Sequence, residues 1–248
     1  MSLGNKTLVM GILNVTPDSF SDGGLWFNPD DAARHVREMI DDGADIIDIG
    51  AESTRPSAIP IGAEEELERL EKILRVVRDC PVPISVDTYK ASVAAAAIDL
   101  GADFINCVHC DRSMLETAAR LDVPIVVAHD QPSDVAGFFA RMNALAHEVG
   151  LARRNLIFDP GIGFGKSQQT NLMILRQLEN LRQYKPLMLA VSRKSVIEYA
   201  LGLPVDQRDE ATAAWCVVGA AKGVDIVRVH NVKLVASMLR AADVLLRR

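Results

Sequence analysis

The sequence predicts an α/β protein folded as a single-domain (β/α)8 TIM barrel. Three observations carry that expectation. Short, β-rich apolar runs alternate strictly with longer amphipathic segments. Eight such units fit into 248 residues, near the ~250 typical of an eightfold barrel. Nearly every apolar run ends on a polar or ionisable residue, and the C-terminal strand ends are where such barrels carry their chemistry.

Strands are expected at Leu8–Asn14, Ile46–Gly50, Ile84–Asp87, Phe104–Val108, Ile125–His129, Leu156–Asp159, Leu187–Ser192 and Ile226–His230. Their continuous apolar character fits a parallel sheet covered on both faces. Helices are expected at Asp30–Asp41, Glu64–Arg78, Ala91–Leu100, Leu115–Leu121, Val135–Val149, Leu172–Gln183, Glu210–Ala221 and Val232–Leu246. In the second of these, Leu67, Leu70, Ile73, Leu74 and Val77 recur at helical spacing. Gly43-Ala-Asp45, Gly101-Ala-Asp103 and Gly223-Val-Asp225 each place a glycine where a helix stops and the next strand begins. No Gly/Ser/Pro linker divides the chain, so residues 1–248 read as one domain, with 1–5 expected as a flexible tail.

Half of the residues are hydrophobic (49%) and 24% are charged, enough apolar material for a large core. A net charge of −6 without a basic run argues against nucleic acid or an anionic membrane as the main partner. No apolar run approaches the ~20 residues of a membrane span. Cys80, Cys107, Cys110 and Cys216 are too few for a disulfide scaffold, and no signal peptide precedes them; we expect reduced thiols in a cytoplasmic protein.

The strand tips, in order, are Asn14, Asp48, Asp87, Asn106, His129, Asp159, Ser192 with Arg193 and Lys194, then Arg228 and His230. A single polar tip is an ordinary helix cap; a full rim of them points to a binding or catalytic edge. Asp87, Asn106 and Asp159 offer acceptors and one amide, suited to a planar, donor-rich nitrogen heterocycle. Lys194, Arg228 and His230, with Arg55, form a cationic group suited to phosphate or diphosphate. Arg228 and His230 alternate on one strand and so share a face. Asn14, with Asp18 and Asp22 on the following loop, offers hard oxygen ligands for Mg²⁺ on a diphosphate. The Asp159–Lys166 segment, with Pro160 and three glycines, reads as a ligand-facing turn. Its Gly165-Lys166-Ser167 is only a weak match to a P-loop, because the glycine that pattern needs five residues before Gly165 is Pro160 here. Cys107-Val-His-Cys110, with His129 one strand away, could hold Zn²⁺, but its ligands alternate to opposite sides of the strand and buried thiols fit better.

Met10–Gly24 (MGILNVTPDSFSDGG) and Asp48–Pro56 (DIGAESTRP) resemble the two signatures of the dihydropteroate synthase family. Asp87-Thr-Tyr-Lys90, Asp159–Lys166, Ser192-Arg-Lys-Ser195 and Arg228-Val-His230 are similar to further family motifs in the same order. The resemblance implies an enzyme that condenses p-aminobenzoate with 6-hydroxymethyl-7,8-dihydropterin diphosphate. It implies pterin binding by Asp87, Asn106, Asp159 and Lys194, and diphosphate binding by Asn14, Arg228 and His230, with Mg²⁺ at Asn14. Thr54, Arg55, Pro56, Phe164 and Ser195 would form the p-aminobenzoate site. Asp87, Asp159, Lys194, Arg228 and His230 would carry the chemistry, in a homodimer packed through late outer helices. The chain departs from the family pattern at Cys107, Ala128, Ala190, Asn231 and Ala211, where Asp, Met, Gly, Asp and Gly are usual. Cys107, Ala128 and Ala190 are expected to border the pterin pocket.

Overall fold

The computed structural model describes residues 4–15, 28–52 and 59–247. Its strands are β1 (Leu8–Asn14), β2 (Ile46–Gly50), β3 (Ile84–Asp87), β4 (Phe104–Val108), β5 (Ile125–Ala128), β6 (Leu156–Asp159), β7 (Met188–Leu189) and β8 (Ile226–Val229). They pair in parallel in the order β6-β5-β4-β3-β2-β1-β8-β7. A bridge between Phe158 and Leu187 brings β6 to β7 and closes the ring. The helices are α1 (Pro29–Asp41), α2 (Ala63–Val77), α3 (Ala91–Asp99), α4 (Arg112–Leu121), α5 (Val135–Glu148), α6 (Gln168–Arg176), α7 (Ser195–Leu201), α8 (Asp209–Ala221) and α9 (Val232–Leu246).

Side chains of alternate strand residues separate into two cores, as strand geometry requires. Leu8, Met10, Ile46, Phe104, Val126, Ile157, Met188, Ala190 and Ile226 fill the barrel interior. The intervening positions, such as Val9, Ile47, Val127, Phe158 and Val227, pack outward against the helices. Full burial of one Leu or Ile contributes about 1.5–3 kcal/mol, so the outer layer dominates the stability.

Several expected boundaries shift. Asp111 starts α4 earlier than the apolar periodicity suggests, because its carboxylate accepts the Met114 N–H at 3.0 Å. Likewise Ser167 caps α6, and the helix stops at Arg176, continuing as a 3-10 turn over Leu178–Tyr184. β5 and β8 end one residue before His129 and His230, and β7 keeps only two of its six expected ladder residues. The seven-residue α7, ended by Gly202 at φ +71°, is too short to leave a periodic signal.

The three Gly-x-Asp segments work as latches at the N-terminal end of the barrel. Gly43, Gly101 and Gly223 hold φ values of +106°, +107° and +99°, which glycine adopts without a Cβ penalty. Each following aspartate then makes a reciprocal pair with the strand before it. Asp45 N–H donates to Val9 O at 2.8 Å while its carboxylate accepts Val9 N–H at 3.0 Å. Asp103 does the same with Ile84, and Asp225 with Leu187. Between β5 and β6 the link is different: Asn155 donates to Asp122 at 2.9 Å. Asp225 is buried and also pairs with Lys185 at 3.1 Å. We expect Asp225→Ala to lower stability by about 1–3 kcal/mol in urea unfolding, the cost of a stranded buried N–H. Turnover should be unchanged, because the latch lies at the end opposite the rim.

Candidate active site

The inward positions at the C-terminal strand ends are polar. Asp48 follows Ile46, Asn106 follows Phe104, Asp159 follows Ile157 and Arg228 follows Ile226, each two residues beyond an interior core residue. Register places Asp87 beside Asn106, so it joins the same layer. Sequence alternation thus changes the barrel filling from apolar to charged in one step along the axis.

Arg228 organises this layer. Its Nε donates to Asp48 Oδ2 at 2.5 Å and its Nη2 to Asp87 Oδ2 at 2.8 Å. Asn106 Nδ2 donates to the same Asp48 oxygen at 3.0 Å. Asp48 is wholly buried, and the remaining oxygens, Asp48 Oδ1 and Asp87 Oδ1, are buried without a hydrogen-bond partner. Burial raises the Asp87 carboxyl to about 7, with Arg228 opposing the rise and Asp48 adding to it. Burial alone would lower the Arg228 pKa; Asp48 and Asp87 more than reverse this and hold it above its ordinary value. The sequence grouped Arg228 with Lys194 and His230 as one cationic end. Its guanidinium instead lies within the acidic group, because two buried carboxylates need a counter-ion there.

Asp159 faces the pocket from β6, and burial pushes its carboxyl up. Its Oδ1 accepts the Gly161 N–H at 2.7 Å. Lys194, just before α7, donates to Ile162 O at 2.5 Å and lies 4.5 Å over the Phe164 ring, a cation–π arrangement. Burial lowers its pKa to about 8, against the pull of Asp159. Ser195, the first residue of α7, accepts from Gln168 Nε2 at 3.0 Å. At the end of β8, His230 Nδ1 is 2.9 Å from Ser192 Oγ, which also accepts the His230 backbone N–H at 3.2 Å. The rim therefore gathers Asp48, Asp87, Asn106, Asp159, Phe164, Lys194, Arg228 and His230 at one end of the barrel. Thr54, Arg55, Pro56, Asp18 and Asp22 lie outside the described residues.

Comparison with known proteins adds an independent line. The family model described as pterin binding enzyme matches residues 10–230. The chain belongs to the pterin-binding enzymes. Over 261 aligned residues it is 46% identical to a dihydropteroate synthase of Bacillus subtilis, covering 100% of this chain and 92% of that protein. A Clostridium difficile dihydropteroate synthase crystallised in the presence of pteroic acid superposes with a TM-score of 0.93 at 39% identity, over 100% of both chains. A Yersinia pestis dihydropteroate synthase in a sulfonamide drug complex gives 0.91 at 36%, over 97% of this chain and 94% of that one.

Two polar tips of this pterin-binding enzyme turn away from the pocket. His129, expected on the rim, follows Ala128 and so faces outward, fully buried, with its ring edge-on to Phe138 at 5.0 Å. Its Nε2 is 3.1 Å from Ser133 O, and burial lowers its pKa to about 4 from 6.5. The unfolded chain therefore binds a proton below 6.5 that the folded protein resists until about 4. His129 thus reduces stability as pH falls through that interval, by roughly 3 kcal/mol in full. Urea melts of the parent and of His129→Leu between pH 7 and 4 should show this slope in the parent and its absence in the variant. Arg193, at φ +57°, forks onto Asp209 at 2.7 and 2.8 Å.

The departures from the family pattern sort by strand face. Ala128 and Ala190 face the barrel interior. Cys107 does not: it alternates outward into the helix–strand core, where a thiol packs as a small apolar group. Asn231 caps α9 through the Leu234 N–H at 3.1 Å and donates to Asp209 at 3.0 Å, a donation that an aspartate there would lack. His109 pairs with Asp130 at 2.5 Å. Among the described residues no three His, Cys, Asp or Glu side chains are grouped to hold a metal.

One network had no sequence signal. Lys90, at the start of α3, bonds Glu52 and, at 2.6 Å, the wholly buried Glu66. Tyr89 OH donates to Glu52 at 3.0 Å, and Glu52 accepts the Ile61 N–H at 3.2 Å. The network fixes the chain on both sides of residues 53–58. Glu66 was hidden in Glu64-Glu65-Glu66, which reads simply as an acidic first helical turn.

Proposed function

We propose that this chain is a catalytically active dihydropteroate synthase. It condenses p-aminobenzoate with 6-hydroxymethyl-7,8-dihydropterin diphosphate, giving 7,8-dihydropteroate and diphosphate. The observation that carries this reading is the buried layer in which Arg228 spans Asp48 and Asp87, with Asn106 and Asp159 beside them. Its unpartnered carboxylate oxygens are acceptors for the N–H donors of a pterin ring. Asp87, Asn106, Asp159 and Lys194 hold that ring; Asn14, Arg228 and His230 take the diphosphate end. Thr54, Arg55, Pro56, Phe164 and Ser195 receive p-aminobenzoate.

As the C–O bond to diphosphate breaks, positive charge develops on the exocyclic methylene and spreads into the dihydropterin. The arylamine nitrogen bonds to that methylene, then releases one proton; the C–O electron pair leaves with diphosphate. Asp87 and Asp159 favour the cationic ring, and His230, with the Arg228 Nη1 donors that Asp48 and Asp87 do not take, favours the departing anion, so the charges are organised before reaction. The amine lone pair is free at neutral pH, so no strong base is required.

Mg²⁺ is proposed as cofactor, with Asn14 as its protein ligand. Asn14 ends β1 beside Gly50 of β2, and a Cβ built at Gly50 would stand 3.6 Å from Asn14 Oδ1, so a hard oxygen donor sits at this strand tip. A Mg²⁺ bound mainly by diphosphate and water needs few protein ligands, and this donor set fits it. When bound, the ion supplies charge that stabilises the leaving group. We further propose a cytoplasmic homodimer. Val244 and Leu245 on α9 are 81% and 86% exposed, apolar surface of the kind that a late-helix interface covers.

The test is turnover of p-aminobenzoate with the dihydropterin diphosphate and Mg²⁺, with and without chelator. Dihydropteroate and diphosphate in equal amounts support the reading. Pterin binding without product would mark a non-catalytic or altered-specificity pterin-binding paralogue instead.

A further inference from the structure

Lys166 resembles a phosphate-binding lysine in sequence, yet its ammonium is turned into the protein. Nζ donates to three carbonyls, His129 O, Gly161 O and Phe164 O, each at 2.9 Å. An ammonium has three N–H donors, so all are committed and none remains for a ligand phosphate.

Those carbonyls are presented by the turn itself. Gly161, Gly163 and Gly165 hold φ values of +63°, +90° and +63°, which glycine accepts without strain. The backbone also approaches the end of β5 too closely for side chains: a Cβ at Gly161 would fall 1.8 Å from His129 O, and one at Gly165 2.2 Å from Asp130 O. The turn therefore aims oxygens at one point between β5 and β6, and Lys166 occupies it.

Two bonds of that cage lead to site residues. Gly161, held through its carbonyl, gives its N–H to Asp159 Oδ1 at 2.7 Å. Phe164, held through its carbonyl, carries the ring under Lys194. The bond to His129 O ties the turn to the neighbouring strand.

We infer that Lys166 is a positioning residue for the reaction, setting Asp159 against the pterin and Phe164 against the arylamine by neutralising a ring of converging carbonyls. The inference rests on the dihydropteroate synthase reading for what Asp159 and Phe164 touch. Removing the ammonium leaves three carbonyls facing one another and lets the turn relax. Displacement of site groups by about 1 Å is enough for roughly a 10²-fold loss.

The experiment compares the parent, Lys166→Ala and Lys166→Met, with and without n-propylammonium, the fragment missing from the alanine variant. Measured are kcat, KM for p-aminobenzoate, calorimetric affinity for pteroic acid, and Tm. Lys166→Ala should lose roughly 10²-fold in kcat/KM for p-aminobenzoate and about tenfold in pteroic acid affinity. Propylammonium should recover most of both. Lys166→Met, which fills the space without charge, should show the same loss and no recovery. Retention of parental kcat/KM and affinity in Lys166→Ala overturns the inference. So does a loss that follows Tm and is untouched by propylammonium, and so does failure of both variants to fold. If the parent itself makes no product, the functional reading falls, and the amine-dependent affinity for pteroic acid still decides the role of Lys166.

Discussion

Arg228→Met is expected to destabilise the protein by about 3–5 kcal/mol, the effect of removing one partner from a buried ion group. The guanidinium is the counter-ion of both Asp48 and Asp87; Asp48 is wholly buried and the Asp87 side chain largely so, so an unpaired charge there recovers little hydration. Methionine preserves volume, so packing contributes little to the loss. Urea unfolding at pH 7.5 measures it, and two second-site changes separate its causes. Asp48→Asn or Asp87→Asn, added to Arg228→Met, should restore part of the stability by removing an unpaired charge. Acid should help in the same way. The folded protein protonates Asp87 near 7, whereas the reference carboxyl titrates near 3.8. The folded state therefore binds more protons in that interval, and this group adds stability as pH falls from about 7 towards 4. Losing Arg228 raises the upper edge of the window. Equal stability of Arg228→Met and the parent at pH 7.5 would show that Asp48 and Asp87 are not paired through Arg228.

Lys194→Met is expected to reduce kcat/KM roughly 10²–10³-fold, the range seen when one preorganised charge or donor is removed from an active site. The residue stands where three features meet: the Ile162 carbonyl, the Phe164 ring and the field of Asp159. Its loss removes the cation beside Asp159 and the contact over the Phe164 ring together. Burial places its pKa at about 8, so the parental rate should decline as pH rises through 8, where the ammonium deprotonates. Lys194→Arg, whose charge does not titrate there, should lack that decline whatever its absolute rate. A Lys194→Met enzyme of parental kcat/KM would remove this residue from the site.

The barrel was legible because its two signals are local. Apolar runs set the strands, and the polar residue at the end of each set the rim. Asp87, Asn106, Asp159 and Arg228 were all legible as strand tips. What the chain did not announce depends on which way a tip residue faces once its strand has ended. His129 and Cys107 sit one position off the inward phase and go to the outer core, and β5 stops at Ala128 before His129 could be counted. The placement of Arg228 among acids was hidden for another reason. Asp48 lies 180 residues away in sequence, and only closure of the ring brings β2 and β8 to either side of β1. Lys166 shows the reverse case, a local motif whose resemblance to a phosphate loop pointed outward while its donors point in.

The latches at the foot of the barrel parse the eight strands into doublets. Asp45 couples β1 with β2, Asp103 couples β3 with β4, the Asn155–Asp122 link joins the loops before β5 and β6, and Asp225 couples β7 with β8. Each doublet is a (βα)₂ quarter with its own clasp, and further bonds tie the quarters together, among them Arg228 to Asp48 and Asp87 at the rim and Thr7 to Asp243 at the foot. Chain breaks introduced between quarters, for circular permutation or for splitting the gene into halves, leave every clasp intact; breaks within a quarter sever one.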